Sequence, residues 1–136
     1  VSDAGQLQLL RQAAVAAREH AYAPYSHFRV GAALRATDGT IFPGCNVENS
    51  SYPAGICAER GAIAAAVAAG YRTFSHVVIV TDAERPTPPC GICRQVLVEF
   101  SSQLEIISVT TAGAETIWSL SDLLPSPFTP QSLPHL

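Results

Sequence analysis

The sequence contains no lysine: its eight cationic side chains are all arginine, Arg11, Arg18, Arg29, Arg35, Arg60, Arg72, Arg85 and Arg94. That excludes Schiff-base chemistry and the lysine of a phosphate-gripping loop. Charge of either sign is scarce, 14% of residues, and a formal net charge of −3 supplies no basic face to neutralise a polynucleotide backbone. No nucleic-acid partner is expected. Long apolar runs are missing as well, since the longest, Ala62 to Ala69, falls far short of the ~20 residues that cross a bilayer. Val1 to Gln8 has neither the basic start nor the apolar stretch of a secretory leader. No membrane partner is expected, and the expected compartment is the cytoplasm. Methionine is absent, so Val1 carries no information about where translation starts.

What is present is enough apolar material for a core, 48% of 136 residues, which fits one domain over 1–136. Leu7 to His20 has apolar residues at helical spacing and ends before Pro24. "FRVGAALRA" and "TIFPGCNV" flank Asp38-Gly39, a hairpin signal, and read as paired antiparallel strands. A second helix is predicted from about Cys57 to Ala69, stopped by Gly70, followed by a buried strand at "HVVIVTD". A third helix at "GICRQVLVEFSS" and a strand at "LEIISVT" follow. "AETIWSL" adds an edge strand, "SLSDLL" a short helix with Ser121 near its cap, and an extended proline-rich tail begins at about Pro125. Two antiparallel strands followed by alternating helices and strands predict an α/β fold, a three-layer α/β/α sandwich around a mixed sheet.

The chemistry concentrates at two helix starts. Cys90 and Cys93, after Pro89, stand where residues i and i+3 share a face, so both sulfurs can reach one ion. Cys57 opens the preceding helix, and helix N-termini stabilise thiolates. In a reducing compartment such cysteines serve as metal ligands or free thiols rather than disulfides. Zinc is the expected ion, one per chain, and three protein ligands leave its fourth position to water. Glu59 sits two residues past Cys57, in a first turn whose side chains tilt back toward the N-terminus, and can reach that water as a general base. Arg60, with the two helix starts, can withdraw electron density from the sulfurs.

The segments "PYSHFRVGAAL", "GCNVENSSYPAGICAERGAI", "PCGICRQVL" and "DLLPSPF" resemble, in order and over nearly the whole chain, the zinc-dependent cytidine deaminases of the small homotetrameric type. The resemblance implies hydrolytic deamination of cytidine and 2′-deoxycytidine, with zinc-activated water attacking C4 and Glu59 shuttling the proton to N3 and the leaving ammonia. It implies that Asn46 and Glu48 hold the ribose hydroxyls, that Phe28 lines the pocket, and that the Ala58 N–H meets the base carbonyl. Pro88 stands where the family usually has Ser or Thr, and proline keeps the backbone carbonyl that faces the leaving amine. Phe128 matches an aromatic donated by a neighbouring subunit, and Tyr52 another intersubunit contact. The implied assembly is a homo-oligomer, a tetramer with shared active sites. The family often follows that phenylalanine with Gly-Pro; this chain has Thr129-Pro130, which bears on the path of the tail.

Plainer readings stand beside these. Cys45 as a fourth ligand would close the metal site and make the chain a structural zinc module that binds a protein partner; its plain alternative is a small buried apolar residue. Asn46 and Glu48 read on their own as turn formers and Phe28 as a core aromatic. Glu59 can serve as a helix-dipole partner and Arg60 as a surface ion pair. His20, His27, His76 and His135 occur singly, without metal-ligand spacing. A deaminase of a cytosine-bearing antibiotic such as blasticidin S resembles the family around the metal, whereas "NVEN" argues for an ordinary ribose.

Overall fold

The structure is a computed structural model that describes residues 3–135. Of the expected domain over 1–136, Val1, Ser2 and Leu136 lie outside the described residues. Helix α1 spans Asp3–Arg18, and a hairpin of β1 (Gly31–Ala36) and β2 (Ile41–Cys45) follows. Then come α2 (Ala58–Ala68), β3 (Phe74–Thr81), α3 (Gly91–Val98), β4 (Glu105–Thr110), β5 (Glu115–Ser119) and α4 (Leu120–Leu123). Short 3-10 turns occur at Tyr52–Ala54 and Pro130–Ser132. The five strands form one sheet in the order β2-β1-β3-β4-β5, in which β3 and β4 pair in parallel and every other neighbour pairs antiparallel.

The sheet is mixed because of its connections. A tight turn can only reverse the chain, whereas α3 carries it over one face from β3 to the parallel β4. Central β3 is buried on both faces, which explains its unbroken run Val77-Val78-Ile79-Val80. Val78 and Val80 face α1 with Leu10, Ala14, Ala33 and Ile107. Val77 and Ile79 face the opposite layer, with Leu34, Ala62, Ile63, Ala66, Leu97 and Ile106. Each of those large side chains contributes about 1.5–3 kcal/mol on burial, so both layers are held by ordinary hydrophobic packing. The result is the expected three-layer α/β/α arrangement.

Local differences from the sequence expectation have identifiable causes. Helix α1 starts at Asp3 rather than Leu7, because its first turn lacks the apolar residues that mark periodicity and is favoured instead by the acidic Asp3. The hairpin closes through a three-residue loop: the Ala36 N–H donates to the Thr40 carbonyl at 2.8 Å, and Gly39 adopts φ 97°. Strand β1 begins at Gly31 rather than Phe28, since the Val30 N–H donates to a side chain, the Asn46 Oδ1 at 2.8 Å. Ser121 lies near the cap of helix α4 as expected; the cap position itself is Ser119, whose hydroxyl pairs with that of Ser121 at 2.9 Å. In the tail from Pro125, expected to be extended, the described residues bend at 125–126, form the 3-10 turn Pro130–Ser132 and turn again at 134–135.

Candidate active site

Strands β2 and β3 both run antiparallel to β1 and therefore run in the same direction. Helix α2 follows the carboxyl end of β2 and α3 the carboxyl end of β3, so both helices start at one edge of the sheet. Open α/β sheets place ligands at such an edge. The loop between β2 and α2 is pinned twice at Val47, which bridges Tyr22 on one side and Ile56 on the other. Two reciprocal bonds join Val47 to Ile56, at 3.0 and 2.9 Å, and bring Asn46 and Glu48 against the entry to α2.

Cys57 caps α2 in extended conformation, φ −74° and ψ 156°, and Cys90 caps α3 likewise, φ −66° and ψ 167°. Cys90 Sγ accepts from the Cys93 N–H at 3.5 Å, in the manner of a capping oxygen. The sulfurs of Cys57, Cys90 and Cys93 lie within 4.8 Å of one another, and those of Cys57 and Cys90 are 3.7 Å apart. Two sulfurs bound tetrahedrally at the ordinary Zn–S length of about 2.3 Å stand about 3.8 Å apart, so the donor set fits zinc in type and spacing. Among the described residues the cluster has three donors, and Cys45 at the end of β2 is not one of them. A closed four-cysteine site lacks its fourth ligand.

The charges around the cluster interlock. Without metal, the Cys57 thiol is brought down to about 5, chiefly because the Cys93 thiol donates to it and with help from Arg60. Cys93 is pushed up for the reciprocal reason, the same hydrogen bond holding its proton. Zinc held by these sulfurs would require them as thiolates, so its binding would release that proton. Arg60 donates an Nη2–H to Cys57 Sγ at 3.5 Å, while its buried Nε has no hydrogen-bond partner among the described residues. Glu59 is 5% exposed, and burial pushes its carboxyl up to about 7. A carboxyl that changes charge near neutrality can both take and return a proton.

These groups open into a cavity of about 300 Å³. Cys57, Ala58, Glu59, Arg60 and Cys90 form its floor, with Cys93 buried beneath, and Phe28, Asn46, Glu48 and Pro88 line the walls. Ala58 is the first residue of α2, so its N–H has no acceptor within the helix. Asn46 is committed at both ends, its Oδ1 accepting from the Val30 N–H and its Nδ2 donating to the Phe28 carbonyl, each at 2.8 Å. Glu48 Oε1 accepts from the N–H groups of Tyr25 and Ser26 at 3.0 and 3.1 Å, and Oε2 from the Ser26 hydroxyl. Those bonds, the Ser26 hydroxyl first, hold its carboxyl below the usual range. Tyr52 and Phe128 do not line this cavity. Tyr52 is 75% exposed and borders a neighbouring hollow with Tyr25 and Asn49; Phe128 is 58% exposed. Val30, Val47, Gly55, Ile56, Ile79 and Thr87 complete the lining without any sequence signal to mark them, since each reads as an ordinary strand or loop residue.

Three sulfur donors fall one short of zinc's usual four, and the buried Glu59 carboxyl lines the same cavity as Cys57 and Cys90, which suits a reacting centre and not a structural one. Fold and cavity together define a zinc-dependent hydrolase. Residues 5–109 match the family model for the cytidine and deoxycytidylate deaminase zinc-binding region, and the chain belongs to that deaminase family. It is 46% identical to the cytidine deaminase of Sporosarcina psychrophila over 120 residues, 88% of either chain. Against the crystal structure of cytidine deaminase from Burkholderia pseudomallei the TM-score is 0.86, with 49% identity, 89% of this chain and 98% of that one covered. The cytidine deaminase structure from Mycobacterium tuberculosis gives 0.79, with 38% identity, 94% of this chain and 98% of that one covered. No described helix is long and apolar enough to cross a membrane.

Proposed function

We propose that the protein deaminates cytidine and 2′-deoxycytidine to the corresponding uridines, releasing ammonia, and that Glu59 moves the protons. The observation that carries the reading is the buried Glu59 carboxyl in the cavity floor beside Cys57 and Cys90. Zinc held by Cys57, Cys90 and Cys93 supplies Lewis-acid activation of the attacking water. Glu59 accepts a proton from that water and delivers it to N3 of the ring. It then passes the second proton to the departing amine, so that water and cytidine leave as uridine and ammonia. The Ala58 N–H donates to the base carbonyl, and the Pro88 carbonyl accepts from the amine. Phe28 walls the base, and Asn46 and Glu48 receive the sugar. Their existing hydrogen bonds leave the amide its second N–H and the carboxylate about one of its four acceptor sites.

The same reading takes the chain as a single domain acting in the cytoplasm as a homo-oligomer, a tetramer whose sites are shared through Tyr52 and Phe128. Support for sharing comes from the exposure of these two aromatics outside their own chain's cavity. The test is turnover of cytidine, free cytosine and blasticidin S by purified protein of known zinc content, followed by loss of substrate absorbance. A site with polar groups placed for sugar hydroxyls leaves them unpaired when the sugar is missing, so cytosine should fall far behind cytidine. Equal turnover of cytosine and cytidine would remove the sugar assignment. Preference for the antibiotic would replace the ribonucleoside reading.

A further inference from the structure

The sugar end of the cavity is built around a hydroxyl that the functional reading leaves without a role. Ser26 stands between Glu48 and Phe28. Its hydroxyl donates its one proton to Glu48 Oε2, and its oxygen accepts from the Phe28 N–H at 3.0 Å. Its own N–H donates to Glu48 Oε1 at 3.1 Å, so the serine grips both carboxylate oxygens. Between Ser26 and Phe28, His27 adopts φ 59°, a left-handed conformation rare outside glycine, with its N–H bonded to the Ala23 carbonyl at 3.0 Å. The Phe28 carbonyl is held from the other side by Asn46 Nδ2 at 2.8 Å. Phe28 is thereby fixed at both backbone ends by hydrogen bonds that lead to the two sugar-binding candidates.

We propose that Ser26 is the positioning residue for sugar recognition, its hydroxyl locking the Glu48 carboxylate to the Phe28 backbone so that the sugar and base walls form one rigid unit. The proposal rests on the assignment of Glu48 to the sugar made above. An untethered glutamate on this loop would lose rotamer freedom each time it received a ligand, whereas the bonded one is already ordered. Three donors also leave the carboxylate about one acceptor site, which selects for a ligand hydroxyl presented from a single direction.

The experiment compares cytidine with 2′,3′-dideoxycytidine, which lacks the 2′- and 3′-hydroxyls, on zinc-loaded wild type, Ser26→Ala, Ser26→Thr and Glu48→Gln. Ser26→Ala should raise KM for cytidine about tenfold, the loss of one hydrogen bond to a charged group, while kcat changes much less. KM for the dideoxynucleoside should move little, and Ser26→Thr, which keeps the hydroxyl, should restore most of the cytidine affinity. A serine that only supported the loop would weaken both nucleosides alike, and that result overturns the proposal. Should Ser26→Ala fail to fold, Ser26→Cys, of similar size with a far weaker donor, takes its place in the comparison: a selective rise in KM for cytidine supports the positioning role, and an equal rise for both nucleosides overturns it. Glu48→Gln separates the two roles. If it discriminates between the nucleosides and Ser26→Ala does not, the positioning role alone is wrong. If Glu48→Gln fails to discriminate, the sugar assignment falls and the Ser26 role with it.

Discussion

A carboxyl buried beside three thiols is a costly arrangement, and Glu59 carries that cost in its raised proton affinity. Glu59→Gln keeps shape and hydrogen-bonding size but cannot accept a proton. The variant should retain one zinc per chain and the wild-type melting temperature while kcat falls by roughly 10²- to 10⁴-fold. Turnover close to wild type would remove Glu59 from the mechanism. The cysteines divide in the same way: Cys57→Ala, Cys90→Ala or Cys93→Ala should lose zinc in metal analysis, and Cys45→Ala should keep it, because the Cys45 sulfur lies outside the cluster. Zinc departing with Cys45 would mean a closed site and no place for water. Cys57, Glu59, Cys90 and Cys93 were legible in the sequence because each lies in the first turn or cap of its own helix, where spacing alone fixes direction. The double commitments of Asn46 and Glu48 to the backbone at 25–30 were not legible, since they join loops distant in sequence.

At the scale of elements, the site depends on how closely α2 seats against β2. Gly44 permits that approach: a Cβ there would lie 2.4 Å from the Ala58 carbonyl oxygen and 2.5 Å from the Ala62 nitrogen. Both obstacles are backbone, so neither can swing aside, and Gly44→Ala must push away the turn that carries Cys57, Glu59 and Arg60. Overpacking of this kind costs typically ~1–3 kcal/mol, and thermal unfolding should show the loss together with weakened zinc retention. Gly61 lies across the same seam, yet a Cβ there meets nothing closer than 3.6 Å. Gly61→Ala should therefore hold zinc normally and gain ~0.5–1 kcal/mol of stability from better helix propensity. Equal melting temperatures for the two variants would show that the close approach does not govern the site. Helices and strands could be read from periodicity, but this seam could not: nothing local marks Gly44 as a contact point, and its partner lies in the next element. The hairpin at Asp38-Gly39 was legible, but its three-residue loop and the start of β1 at Gly31 were not, because side chains and a glycine conformation set them rather than the apolar pattern.

At the scale of the whole molecule, Phe28 lines the cavity, whereas the exposed rings of Tyr52 and Phe128 lie outside its lining. The Phe128 carbonyl accepts from Gln95 Nε2 at 2.8 Å, which ties the tail to α3 while leaving the ring 58% exposed. Pro125 and Pro127 stiffen the exit from α4, so the ring is held out rather than left to fold back. An exposed aromatic held in place gains little in one chain, whereas laid over a neighbour's bound base it contributes ~0.5–1.5 kcal/mol beyond area burial. Phe128→Ala should accordingly weaken nucleoside binding roughly threefold to tenfold and leave zinc content unchanged. Mixing gives the sharper result. In shared sites, a Phe128→Ala chain supplies the Glu59 that a Glu59→Gln chain lacks, and the Glu59→Gln chain supplies the covering ring. Hybrids of the two variants should then exceed the activity of either parent by an amount that tracks the fraction of mixed assemblies, measured by tagging one chain. If tagged and untagged chains exchange yet the hybrids never rise above their parents, every chain carries a complete site of its own, and Phe128 serves only the path of the tail.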